Sequence, residues 1–355
     1  MAGLSMRKQQ TNAYACAMRR PTLHDVAARA SVHPGTASRA LNPRTRHLVS
    51  PVTARRVDRA ARALGYRANP IARGLKTART ATVGLVLPDL TNPLFPPIVR
   101  GIEDALRPAG YSAWIVNTDN DPERERTLVD SLRSRHVDGL IVATARLDHP
   151  LLRETAAELP VVLVNRGTAE PGVSQVTPDD ALGIEQAVRH LAGLGHRHVA
   201  HLAGPQDLST GVERLRAYRR AVADLGLDDA PGLVERCGTW NEDEGAAATH
   251  RLLDSGLPCT AVCAGNDLLA LGCYDALRER GLSCPRDVSV VGFNGMPFLD
   301  KLRPPLTTVR IPHHELGAEA ARMLLAQLDD PDRHPRSVRL PPELIIRGST
   351  RAPRS

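Results

Sequence analysis

Residues 22–42 read TLHDVAARASVHPGTASRALN. Leu23, Val26, Ala27 and Ala30 recur at i, i+3, i+4 and i+7, which draws one apolar stripe along a short helix. Thr22 stands where an N-cap belongs, and Asp25 three residues on completes a capping-box-like pair whose negative charge suits a helix N-terminus. Ser31-Val32-His33 is a turn's worth of chain, and Pro34 then occupies the first position of a second helix, where no backbone N–H is needed. Ala37, Ala40 and Leu41 face the first helix, and Thr36, Ser38 and Arg39 point elsewhere. Two short helices, a three-residue turn and small residues at the contact make a helix-turn-helix, whose second helix enters the DNA major groove. Spacing alone fits any small helical hairpin, so the residue identities have to decide.

The charge is distributed in the same sense. Residues 1–80 hold sixteen Lys/Arg against Asp25 and Asp58, a net of +14, which leaves the remaining chain at −7. A basic head on a mildly acidic body is the footprint of a nucleic-acid-binding module joined to something else. Membrane-surface binding would need a Lys-rich amphipathic face with large apolar residues, and none accompanies the charge. Six cysteines (Cys16, Cys237, Cys259, Cys263, Cys273, Cys284) show neither C-x-x-C nor framework spacing, which reads as free thiols in a reducing, cytoplasmic compartment. His190, His196, His198 and His201 cluster without ligand-pair spacing, so no metal site is expected.

Working outward, residues 1–19 show no periodicity and read as a disordered tail, or as an extension upstream of a start at Met18. Arg7 and Lys8 would otherwise form a basic arm for phosphate contacts. After an Arg-rich loop at 43–49, Ser50 and Pro51 open a third helix, with Val57, Ala60, Ala61 and Leu64 as its stripe and Gly65 as its stop. Tyr66 is placed under the same core. Asn69-Pro70 opens a short segment, 71–76, too brief to hold a helix alone in water.

T-L-x-D-V-A-x-x-A-x-V-x-x-x-T-x-S-R-x-L-N resembles the DNA-reading segment of the LacI-type (lac/purine repressor) family. The resemblance implies a helix-turn-helix domain over residues 20–68 and a hinge helix and linker over 69–80. It implies DNA contacts by Thr22, Pro34, Gly35, Thr36, Ser38, Arg39 and Asn42, continued by Asn69, Ala72 and Arg73 along the minor groove, with Leu75 wedged between base steps. Pro34 and Gly35 depart from the family, in which those two positions usually carry base-reading side chains, so reading shifts to Thr36, Ser38 and Arg39.

From Ala81 strands and helices alternate. Strands are expected at 82–88, 112–117, 139–143 and 160–165, then at 198–203, 232–237, 261–264 and 288–293, with helical crossovers between them. These are two doubly wound α/β units, and paired they resemble the periplasmic-sugar-binding-protein fold. The expected first lobe is 81–178 with 310–330; the second is 179–309 with 331–350. Pro304 to Val309 resembles the crossover back to the first lobe, and Leu340 to Arg347 is expected to close the second.

Ligands of open α/β sheets bind beyond the carboxyl ends of strands, which points to Asp89 and Asn92 after the first strand and to Asn165 and Arg166 after the fourth. The resemblance carries over Asn165, Arg214, Trp240, Asn266 and Asn294 as effector-binding residues. Amides suit hydroxyl pairs, a guanidinium fork suits ring oxygens, and an indole stacks on a sugar face. Phe293-Asn294-Gly295 stands where the family commonly has an aromatic followed by two aspartates, so one acidic acceptor is missing. The expectation is a ligand-responsive transcription regulator, a repressor, binding a palindromic double-stranded operator as a homodimer or tetramer and sensing a sugar-like metabolite. No cofactor, catalytic residue or membrane partner is expected. The rival is a small-molecule-binding protein or sugar-processing enzyme on the same two-lobed fold; another is an architectural DNA binder with a vestigial cleft.

Overall fold

In the computed structural model, residues 21–42, 45–66, 79–170 and 172–354 are described. The expected tail, and the hinge with Asn69, Ala72, Arg73 and Leu75, lie outside them. The chain forms two compact units, one up to Thr80 and one from Ala81.

The first unit is three helices: α1 (Leu23–Arg29), α2 (Pro34–Leu41) and α3 (Pro51–Leu64). Thr22 and Asp25 make the reciprocal capping box, with Thr22 N donating to Asp25 Oδ2 at 2.7 Å and Asp25 N to Thr22 Oγ1 at 3.3 Å. Small side chains set the core. Val26, Ala27, Ala30, Ala37, Ala40, Ala54, Val57, Ala60 and Ala61 are buried, and Leu23, Val32, Leu41, Leu64 and Tyr66 pack around them. Alanines at the crossings let short helices approach closely, so a modest apolar area closes a complete core. Arg46 donates to both Asp58 oxygens (3.1 and 2.6 Å) and to the Ala40 carbonyl (2.8 Å), tying the loop after α2 to α3. Gly65 ends α3 at φ +63°, a left-handed conformation that favours glycine.

The second unit holds two six-stranded sheets. Its elements run β1 (Thr82–Leu87), α4 (Phe95–Leu106), β2 (Ser112–Asn117), α5 (Pro122–Ser134), β3 (Gly139–Val142), α6 (Pro150–Ala156), β4 (Val161–Val164) and β5 (Ser174–Pro178). Then follow α7 (Asp180–Gly193), β6 (Val199–Ala203), α8 (Ser209–Asp224), β7 (Val234–Arg236), α9 (Glu242–Asp254), β8 (Ala261–Ala264), α10 (Asp267–Glu279) and β9 (Ser289–Asn294). The chain ends with β10 (Thr307–Arg310), α11 (His313–Asp329), β11 (Ser337–Leu340) and β12 (Glu343–Ile345). The first sheet has the order β11-β5-β4-β3-β1-β2, the second β12-β10-β9-β8-β6-β7. Only the β10–β12 pair is antiparallel among the described strands.

β1, β3 and β4 are unbroken apolar runs because helices cover both faces of a parallel sheet. In the first lobe α4 and α11 cross at glycine: a Cβ on Gly101 would lie 2.0 Å from the His314 carbonyl, and one on Gly317 2.0 Å from that of Ile98. Two bare backbones meeting there hold α11 to the first lobe.

Three expectations need correction. Thr307–Arg310 is a strand of the second sheet, paired with β9 and β12, so the crossover follows Arg310 rather than occupying 304–309. Ser337–Leu340 pairs with β5 in the first sheet, so the segment 331–350 is divided between lobes rather than belonging to the second. β5 itself (SQVTP) carried no strand expectation; its residues alternate buried and half-buried, and its polar composition and proline hide that pattern.

Candidate functional site

In the helical unit, burying Ala37 and Ala40 turns the rest of α2 outward. Arg39 is exposed, while Pro34, Gly35, Thr36, Ser38 and Asn42 are half-buried. His33 caps the helix, its Nδ1 accepting from Gly35 N at 3.1 Å, a role the sequence reading gave to no residue. Thr22 is committed to its cap, its hydroxyl donating to Asp25 Oδ2 at 2.7 Å. The unit's two carboxylates are thus used internally, Asp25 by the cap and Asp58 by Arg46, which holds the Asp58 carboxyl below its ordinary value chiefly through their hydrogen bond. Arg29, Arg39, Arg55, Arg56, Arg59 and Arg62 are exposed and form no ion pair among the described residues. Exposed guanidinium groups without ion-pair partners attract a polyanion.

In the second unit the strand ends converge on Arg214, near the start of α8. Arg214 is 2% exposed, and its Nε donates to Asp180 Oδ1 at 2.7 Å. Nη1 donates to the Gly265 carbonyl at 2.7 Å and Nη2 to Asn294 Oδ1 at 3.4 Å. The guanidinium carbon lies 3.8 Å from the centroid of the Phe293 ring and 5.5 Å from that of Trp240. The indole rests against bare backbone, for a Cβ on Gly204 would come within 1.9 Å of it. Asn266, next to Gly265, caps α10 through Leu269 N at 2.8 Å. Arg214, Trp240 and Asn294 therefore lie together, with Asn266 one residue beyond the Gly265 carbonyl that Arg214 holds.

Asp180 and Asp267 complete this group, and the sequence reading placed neither among the site residues. Burial raises the Asp180 carboxyl to about 6 against the pull of Arg214. Asp267 accepts from Thr308 Oγ1 (2.5 Å) and Met296 N (2.9 Å), and burial raises it to about 7. Asp180 is the counter-charge of Arg214. It reaches Arg214 from 34 positions away, a distance that no local motif spans.

The first-lobe residues behave differently. Asn165 is buried at φ +69°, and its Oδ1 has no hydrogen-bond partner among the described residues. Asp89 Oδ1 accepts from Thr91 N (2.8 Å) and Thr91 Oγ1 (2.7 Å), and Asn92 Oδ1 from Leu94 N (3.0 Å), so both shape the loop after β1. No hydrogen bond joins either of them to the Arg214 group among the described residues. The lobes touch where Leu147 N donates to the Asp207 carbonyl (3.0 Å) and Gly167 N to Ser209 Oγ (2.8 Å). A cavity of about 240 Å³ borders this seam, lined by Gly167, Thr168, Asp180, Ser209, Glu213 and Arg339 among others; it shares Asp180 with the Arg214 group but none of the expected effector residues.

The four clustered histidines each have a separate environment. His190 meets Thr350, His196 meets Thr260 and the Arg351 carbonyl, His198 meets Asp228, and His201 meets the Cys263 carbonyl. The five described cysteines are free thiols.

Comparison with known proteins agrees with both units. Residues 22–69 match the model of bacterial regulatory proteins of the lacI family, and residues 188–350 match a periplasmic binding protein-like domain. The chain is 34% identical over 351 residues to the HTH-type transcriptional repressor CytR of Escherichia coli (strain K12), covering 98% of this chain and 99% of that one. It is 38% identical over 339 residues to the HTH-type transcriptional regulator CelR of Thermobifida fusca, covering 93% and 98%. Among solved structures, a lac repressor dimer bound to operator and the anti-inducer ONPF superposes with a TM-score of 0.82 at 28% identity, covering 94% of this chain and all of the other. A CelR–cellobiose complex superposes at 0.71 with 34% identity, covering 93% and 100%. With a helix-turn-helix that exposes Arg39, two periplasmic-binding-protein-like lobes and relatives matched along nearly their whole length, the chain belongs to the LacI family of bacterial transcription regulators.

Proposed function

We propose that the protein is a repressor that binds a palindromic DNA operator as a homodimer and releases or tightens that grip when a sugar-like metabolite fills the cleft between its lobes. The supporting observation is the α2 face: Arg39 projects from it, and every carboxylate of the unit is engaged elsewhere. Thr36, Ser38 and Arg39 read base edges in this account, Arg39 taking guanine O6/N7. The segment 69–80 is the hinge in this account. Asn165, Arg214, Trp240, Asn266 and Asn294 are the effector-facing residues, joined by Asp89 and Asn92 on the loop after β1. A compound changes DNA affinity only through unequal affinity for the DNA-bound and free conformations, so lobe closure and hinge order have to be linked. The protein acts in the cytoplasm, on the nucleoid. Among the described residues no helix is long and apolar enough to cross a membrane.

The test is selection of duplexes from a random library by the full chain. A palindrome should emerge, bound with an affinity that falls steeply with salt. Enrichment of no common sequence overturns the reading.

A further inference from the structure

Arg166 follows β4 and is 7% exposed. Among the described residues its guanidinium has neither a hydrogen-bond nor an ion-pair partner. Its immediate neighbour Gly167 is pinned to Ser209 of the second lobe, which sets Arg166 in the seam between lobes. The charges it feels come from both sides: Arg146 and Glu125 from the first lobe, Asp207 and Arg214 from the second. Burial pulls the Arg166 guanidinium down to about 10, so it remains a cation at neutral pH.

The acids within its field are already engaged. Asp207 pairs with Arg146 at 3.6 Å. Glu125 accepts from the Thr144 hydroxyl and faces His149 Nε2 at 3.5 Å. Arg214 has its own counter-charge in Asp180. A cation this nearly buried, with no ion pair among the described residues, keeps little water, so an anion that reaches it is favoured. Next to it in the chain, the Asn165 Oδ1 is buried with no donor among the described residues. These two neighbours therefore invite complementary chemistry: an acceptor with negative charge for Arg166, and a hydroxyl or N–H donor for Asn165. A neutral polyol supplies the second and only weakly the first, since hydrogen bonds from a guanidinium to an anion are about twice as strong as neutral ones.

Building on the function proposed above, we infer that the effector is a hydroxylated compound bearing an anionic group, a carboxylate or a phosphate, which seats on Arg166 with a hydroxyl against Asn165. Arg166 then neutralises the group, and its fork orients the ligand across the seam.

The experiment uses the full chain, wild type and Arg166→Met, with inorganic phosphate, acetate, glucose and glucuronate as probes in thermal-shift and calorimetric titrations. Wild type should bind at least one of the three anions at least tenfold more tightly than it binds glucose, and Arg166→Met should lose that preference to within about threefold. Phosphate against acetate and glucuronate tells the two anion types apart. Arg166→Met removes an unpaired buried charge, so its ligand-free melting temperature should equal or exceed that of wild type, which separates lost binding from lost folding. Arg166→Lys, keeping the charge without the fork, should retain part of the preference. Equal anion responses in wild type and Arg166→Met, or a wild type that prefers glucose, overturn the inference. Operator affinity measured in parallel separates the two claims: an operator response to a neutral compound alone sinks the anion inference and leaves the repressor reading standing. Absent operator binding sinks the repressor reading itself.

Discussion

Arg39 and Arg214 are the same residue type placed to opposite ends. Arg39 is exposed, in a unit that carries further exposed arginines and whose carboxylates are both taken. Arg214 is buried under two aromatic rings with Asp180 against its Nε. An exposed, uncompensated guanidinium contributes little to folding and remains free to meet a phosphate or a base. A buried, compensated one is part of the frame of its lobe, holding rings and amides in place. Exposure and counter-charge together, rather than residue type, assign the task.

The sharpest way to break this contrast is to unpair the buried arginine. Arg214→Met leaves Asp180 buried without its counter-ion and should cost about 3–5 kcal/mol of stability in denaturant unfolding. Adding Asp180→Leu should recover most of that loss, because the stranded charge goes with it. A loss below about 1 kcal/mol from the single change would place the pair in the class of solvated surface bridges.

Acid offers a second handle on the same lobe. His201 stacks on Tyr218 with ring centroids 4.7 Å apart, and burial pulls its imidazole down to about 4. A base whose folded-state value lies below its unfolded one contributes stability that is fully present above about pH 6.5 and lost as the pH falls toward 4. Across that window the loss approaches about 3 kcal/mol. His201→Phe keeps the stacking and should flatten the acid limb of the stability curve between those limits; an unchanged slope contradicts the assignment.

The helical unit should yield the smaller effect. Thr22→Ala removes the capping box and should cost about 1 kcal/mol, confined to the unfolding of the first unit, with Thr22→Ser close to wild type. A loss spread over both units would mean that they do not melt separately.

The same contrast explains what could be read in advance. The helical unit was legible almost residue by residue, because caps, stripe and turn are local: Thr22, Asp25, Pro34 and Gly65 sit where the pattern places them. The alternating lobes were legible as apolar runs, yet β5, β10 and β11 were missed. They are short, partly polar, or paired with strands far along the chain, and pairing partners are invisible to periodicity. Around Arg214, the family resemblance named Arg214, Asn266 and Asn294, but Asp180 and Asp267 emerged only from topology. Arg166, noted merely as the end of a strand, became informative once its burial and its want of a partner were known.

The central claim is that exposed Arg39 reads sequence for a DNA-binding unit. It is tested by the affinities of wild type and Arg39→Ala for the selected palindrome and for a scrambled duplex, at fixed salt. Arg39→Ala should lose about 1–3 kcal/mol of discrimination between the two, with affinity for the scrambled duplex reduced far less. If the variant separates the two duplexes as well as wild type does, Arg39 does not read bases and the account of this surface is wrong.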